Sequence, residues 1–120
     1  IHLQAHVFCE LGADSANMWN HVFYFLRDST KLAHAAASNR NVGISTATRT
    51  YSSNDSGSTP EIARFDYFDS PSSTSQITYK VAFQPNHSNE TFALNRTTDD
   101  TDNEHYERGI SYIVAQEIAG

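Results

Sequence analysis

Ser75-Gln76-Ile77-Thr78-Tyr79-Lys80-Val81-Ala82-Phe83-Gln84 is the stretch that decides the fold of this chain. Ile77, Tyr79, Val81 and Phe83 share one parity, and Thr78, Lys80 and Ala82 share the other. Successive side chains on a strand point to opposite faces, so this alternation predicts a half-buried β-strand. Downstream, Thr91 to Arg96 is a shorter run with Phe92 and Leu94 facing in. Ile110 to Ile118 then puts Tyr112, Val114 and Ile118 on one face and Ile113 on the other. Upstream, Ile1, Leu3, Ala5, Val7 and Cys9 alternate with His2, Gln4, His6 and Phe8. The pattern predicts strands near 1–9, 19–27, 31–37, 44–51, 61–69, 75–84, 90–96 and 110–118. Turn chemistry separates them, as in Gly12-Ala13-Asp14-Ser15, Asp69-Ser70-Pro71-Ser72 and Pro85-Asn86-His87-Ser88. Short strands with near-regular punctuation indicate an all-β chain folded as a closed antiparallel β-sandwich.

At 120 residues the chain is one domain, large enough to bury its own core without staples. Aromatic content is 12% although mean hydropathy is −0.53, so the apolar residues are concentrated in strands and the connections are polar. The net charge of −6 and the lack of a basic stripe argue against nucleic acid and against anionic membrane surfaces. No apolar run approaches the roughly 20 residues that span a bilayer as a helix. Cys9 is the only cysteine, sits in an alternating strand and reads as a small buried hydrophobe. The chain opens in mid-strand at Ile1, which suggests a fragment or a processed product with strands or a stalk upstream.

Two stretches are apolar on both parities. In 19–26, Trp19, Phe23 and Phe25 oppose Val22, Tyr24 and Leu26; in 62–68, Phe65 and Tyr67 oppose Ile62 and Phe68. A two-layer sandwich buries only one face of each sheet. The second face then calls for another cover, and a further copy of the chain is the economical one.

Residues that could carry chemistry are few. His2 and His6 share a strand face but lie about 13 Å apart, too far to hold one ion together. His21, His34, His87 and His105 have no neighbours at ligand spacing, and neither His-Glu-x-x-His nor Gly-x-Ser-x-Gly occurs. The acidic turn Asp99-Asp100-Thr101-Asp102-Asn103-Glu104 is the candidate Ca²⁺ site, through Asp99, Asp100 and Asp102. It is not an EF-hand: counted from Asp100, the sixth position is His105 and the twelfth Ser111. A solvated turn is the simpler reading. Asn-x-Ser/Thr sequons stand at Asn54, Asn86, Asn89 and Asn95, where the same residues also serve β-turns.

An ordered series of segments runs along the chain: Phe25-Leu26-Arg27-Asp28-Ser29-Thr30, Tyr67-Phe68-Asp69-Ser70-Pro71-Ser72-Ser73-Thr74-Ser75, Ile77-Thr78-Tyr79-Lys80-Val81, Leu94-Asn95-Arg96, the acidic turn, and Tyr106-Glu107-Arg108-Gly109-Ile110-Ser111. In order and spacing, from Ile1 to Gly120, it resembles a C-terminal domain of structural proteins of marine bacteriophages, especially those of cyanobacteria. The family looks like a jelly roll of the tumour-necrosis-factor and complement-globular-head type. The chain departs from it in carrying Gln116-Glu117 where a Met-Glu pair is common, and in lacking a strand or two usual before the region of Ile1.

The resemblance implies a three-fold homotrimer on a virion surface: a head fibre, capsid decoration or tail-fibre knob, contacting other virion proteins and host surface glycans, with no catalysis. Trp19, Phe23, Tyr24, Phe25, Phe65, Tyr67, Phe68 and Tyr112 are the candidate trimer contacts. Two other readings stand beside it. One is a secreted or cell-surface trimeric binding module. The other is a polysaccharide-degrading enzyme with a site at the subunit boundary, using paired carboxylates from Asp66, Asp69 or Glu117.

Overall fold

The computed structural model describes residues 1–12, 21–33, 35–36, 38–48, 57–85 and 91–119. Among them are seven strands and no helix: β1 (His2–Gly12), β2 (Val22–Arg27), β3 (Thr30–Leu32), β4 (Glu61–Phe68), β5 (Tyr79–Gln84), β6 (Thr91–Leu94) and β7 (Tyr112–Gln116). They form two antiparallel sheets in a sandwich-like arrangement. In sheet A, β1 is central, with β4 along one edge; the other edge is shared by β7, opposite His2–His6, and β6, opposite Cys9–Gly12. In sheet B, β2 is central between β3 and β5. The antiparallel sandwich expected from the alternation is the fold found.

Alternation explains the core. β1 turns Leu3, Ala5, Val7, Cys9 and Leu11 inward, β2 contributes Phe23 and Phe25, and β4 contributes Ala63 and Phe65. Tyr79, Val81, Phe83 and Phe92 pack against this cluster. The two sheets meet ring to ring: Phe25 and Phe65 are 4.8 Å apart, and Phe83 and Phe92 are 4.5 Å apart. Each buried phenylalanine stabilises by about 1.5–3 kcal/mol, and each favourable ring pair adds about 0.5–1.5 kcal/mol.

Two expected strands end differently. The segment 31–37 contributes only its start to β3, and 44–51 forms no strand among its described residues. Instead Ser45 bridges to Phe23 of sheet B and Thr48 to Ile62 of sheet A. A segment crossing from one sheet to the other can pair only briefly with each. Buried His21 pins it, because its Nε2 accepts the Ala47 N–H at 3.0 Å.

This crossing closes one long side of the sandwich. Among the described residues the opposite side, between β5 and the β7/β6 edge, remains an apolar cleft of about 330 Å³. Leu94 has the inward register of Cys9, as the alternation predicts, yet it is 50% exposed because it lines that opening.

Candidate assembly surface

The outer face of sheet A is set by register. His2, Gln4 and His6 of β1 stand opposite Phe68, Asp66 and Arg64 of β4, and opposite Gln116, Val114 and Tyr112 of β7. Directly opposed residues share a face, so these nine side chains form one surface. The His2 ring stacks on Phe68 at 4.4 Å, and the His6 ring stacks on Tyr112 at 5.2 Å. Asp66 lies 3.6 Å from His2 Nε2, and Arg64 Nε donates to His6 Nδ1 at 3.1 Å. A hollow of about 280 Å³ opens between Gln4, Arg64, Asp66 and Tyr112.

Farther along β1 the same face is roofed by the chain itself. Gly109 lies so close to the Phe8 ring that a Cβ there would come within 2.3 Å of it. The half of the face nearer Ile1 carries no such roof among the described residues, and Phe68 (64%), Tyr112 (57%) and Val114 (42%) are exposed there.

These residues belong to a wider asymmetry. Every large exposed apolar side chain among the described residues (Phe68, Leu94, Ile110, Tyr112, Ile113, Val114 and Ile118) lies on sheet A or on the flanks of β7. Sheet B shows none. Among the described residues the last strand is also an edge: it pairs with β1 alone and borders the apolar cleft through Tyr112 and Ile113.

The structure sorts the eight candidate contacts. Phe68 and Tyr112 lie on the outer face of sheet A. Phe23, Phe25 and Phe65 fill the core, and Tyr67 packs against it from the inner face, so none of the four presents an outward surface. Tyr24 lies on the outer face of sheet B beneath the Lys31 ammonium, 4.0 Å from its ring centre. Trp19 lies outside the described residues. Over the described part of 19–26 the inference of a second cover is thereby corrected: Leu26 stands between Lys31 and Lys80, and Val22 is covered by Gly43. Lysine stems cover apolar surface while their ammonium groups stay in water.

The candidate carboxylates do not converge. Asp66 faces outward, whereas Asp69 is buried and turns toward sheet B. Asp69 accepts Arg27 Nη1 at 2.8 Å and the Tyr79 hydroxyl at 2.7 Å. Burial and this bond, with the Asp69 charge beside it, push the Tyr79 phenol up to about 12. Glu117 is exposed beyond the end of β7. In the acidic turn, Arg108 grips Asp100 with two bonds of 2.9 and 2.8 Å, which holds that carboxyl below its ordinary range. Asp99 Oδ1 takes the Thr101 N–H at 3.4 Å. Among the described residues no three His, Cys, Asp or Glu side chains gather to hold a metal, Asp99, Asp100 and Asp102 included. Of the sequons, Asn95 lies in a left-handed turn (φ 64°), and its Oδ1 accepts the Ser111 N–H at 2.8 Å. Asn54, Asn86 and Asn89 lie outside the described residues.

Two carboxylates escaped the sequence reading. Glu10 and Glu61 are each 1% exposed. Glu10 accepts the N–H and hydroxyl of both Thr59 and Thr98, while Glu61 accepts the Leu11 N–H at 2.9 Å. Backbone donors fix both, so their work is structural. Glu10 follows the outward parity of β1, and nothing local in the sequence signals the loops that cover it.

No protein-family model, no curated protein and no solved structure matches the chain.

Proposed function

We propose that this chain is a non-enzymatic structural and adhesion module of a bacteriophage particle, displayed on the virion surface as a homotrimer with the outer face of sheet A at the contact. The observation that carries the assembly part is the confinement, among the described residues, of large exposed apolar side chains to sheet A and the flanks of β7. An apolar patch of this kind costs free energy in water and is relieved by association. A closed cyclic arrangement relieves it in every copy, whereas an unclosed one would grow into filaments. The three-fold order and the virion setting come from the resemblance of the segment series to phage structural domains. The scattered carboxylates favour this reading over a glycosidase, which needs two carboxyl groups facing one sugar.

Sedimentation of the purified chain at micromolar concentration tests the assembly. The expected species has three times the chain mass, with a contact on the order of 2,000 Å² or more in total. Tyr112→Asp combined with Val114→Asp should yield a folded monomer. A wild-type monomer would sink the assembly reading. Antibody labelling of intact particles tests the location, and an unlabelled particle containing the chain would count against surface display.

A further inference from the structure

We propose that the outer face of sheet B binds an anionic polysaccharide through Lys31, Lys80, Arg40, Tyr24, Gln84 and Asn41. The inference rests on the assembly proposed above, because contact through sheet A is what leaves sheet B facing outward.

Register places the cations. Lys31 of β3 and Lys80 of β5 both stand opposite Leu26 of β2, on its outward side. Their Cα atoms are thus about 10 Å apart, two strand spacings. Two residues along β2 on the same face is Tyr24, whose opposite number is the small Ala82. The Lys31 side chain reaches across β2 toward β5. Its Nζ sits 4.0 Å above the Tyr24 ring and donates to Gln84 Oε1 at 2.8 Å. Gln84 Nε2 in turn donates to Asn41 Oδ1 at 2.9 Å. The row thus runs from a ring through an ammonium and the Gln84 amide to Asn41 and its neighbour, exposed Arg40. Beside it the 40–46 segment borders a hollow of about 520 Å³.

Charge decides the ligand. The chain carries −6 overall, yet this face presents Lys31, Lys80 and Arg40, and none of the three forms an ion pair with a carboxylate among the described residues. Positive charge gathered on one face of an acidic protein attracts polyanions. The amides supply both donors and acceptors, and the Tyr24 ring holds the Lys31 ammonium over the face. An anionic sugar chain brings hydroxyls for the amides on every ring beside its charges, whereas the side chains of an acidic peptide bring carboxylates alone. Sulfate or uronate groups on an extended glycan would meet the lysines, and its ring hydroxyls would meet Gln84 and Asn41.

Titration calorimetry of the full chain against heparin and against polygalacturonate tests the proposal, with dextran and poly-glutamate as the comparison arms. The expected result is micromolar binding to at least one anionic polysaccharide, weakening as salt rises, with none to dextran. Lys31→Gln combined with Lys80→Gln should weaken it at least tenfold in a protein that still unfolds cooperatively. Tyr24→Leu should weaken it while leaving both lysines in place. No binding to either anionic glycan overturns the proposal, as does binding untouched by these substitutions. Equal affinity for poly-glutamate overturns the glycan assignment in favour of a nonspecific polyanion. Sedimentation of the same samples separates the two ideas: a monomer that binds sinks the assembly, and a trimer that does not bind sinks this site.

Discussion

Ser111 substitutes for a strand residue beside Phe8: its Oγ accepts the Phe8 N–H at 2.9 Å and donates to the Phe8 carbonyl at 3.3 Å. Phe8 marks the place where the edge of β1 passes from β7 to β6, so no regular partner pairs with it there. Asn95 completes the junction by donating its N–H to the same carbonyl at 2.9 Å. Ser111→Ala should therefore cost about 1–2 kcal/mol, the range for stranding a partly buried backbone donor. Ser111→Thr keeps the hydroxyl and should recover part of the loss. Urea denaturation of the three proteins measures this, and an alanine variant as stable as wild type would show that water serves Phe8 equally well.

Tyr79 should ionise near 12 rather than 10, because burial and the bond to Asp69 favour the neutral phenol. The folded value is raised, so the stabilisation is fully present below the unfolded value of about 10 and is lost as pH climbs through 12. Ultraviolet titration of phenolate, read against Tyr79→Phe, should find Tyr79 resisting ionisation, and Asp69→Asn should bring it down toward 10. A Tyr79 that titrates alike in both proteins would remove Asp69 as a cause.

Cys9 is fully buried, and burial first, then the charges of Glu61 and Glu10, push its thiol up to about 12. The thiolate is the reactive form, so a disulfide reagent at pH 8 should leave the native protein unmodified. In denaturant the same reagent should titrate one thiol per chain. Fast labelling of the native state would mean that the β1–β4 pairing opens readily.

Sheet A and the inner face of sheet B were legible because period-2 alternation records burial directly: Leu3, Ala5 and Val7 of β1 and Val81 and Phe83 of β5 need no other information. The crossing at Ser45–Thr48 was not legible, since a segment that touches each sheet once leaves no repeating pattern. Apolar residues on both parities of β2 suggested a missing partner, whereas Val22 meets Gly43, Tyr24 lies under the Lys31 ammonium and Leu26 stands between Lys31 and Lys80, neighbours that gather only after β3 and β5 have docked. The exposed apolar face of sheet A was half legible. Phe68 and Tyr112 emerged from the same reasoning that wrongly turned Phe23, Phe25 and Phe65 outward, because parity alone does not say which side of a sheet is the core.

Asp100 should titrate below the ordinary carboxylate range while Arg108 holds it, and Arg108→Ala should return it upward. Its folded value is lowered, so any stabilisation from the pair is present above the unfolded value and fades as pH falls through the folded one. Carbon-detected NMR of the side-chain carboxyl follows this directly. Because Arg108 already occupies Asp100, millimolar Ca²⁺ should leave the melting temperature unchanged. A rise with Ca²⁺, reversed by chelator, would show that the acidic turn exchanges Arg108 for the ion.

Glu10 should be among the least replaceable side chains of the molecule. Its Oε1 accepts both the N–H and the hydroxyl of Thr59 at 2.9 Å each. Its Oε2 accepts the N–H of Thr98, and the Thr98 hydroxyl at 3.1 Å. One carboxylate thus ties β1 to the two loops that cover it, in a site where Glu10 is only 1% exposed. Glu10→Gln keeps the shape but turns an amide N–H₂ toward a backbone N–H, leaving donors opposed in a dry site. The cost should be about 2–4 kcal/mol, the scale for breaking a charge-assisted buried contact. Thr59→Val should cost less, because its N–H retains Glu10. The double variant should depart from the sum of the two, since Thr59 and Glu10 are in direct contact. Strict additivity in urea melts would mean that Thr59 and Glu10 act independently, and that the bonds between them contribute little to the fold.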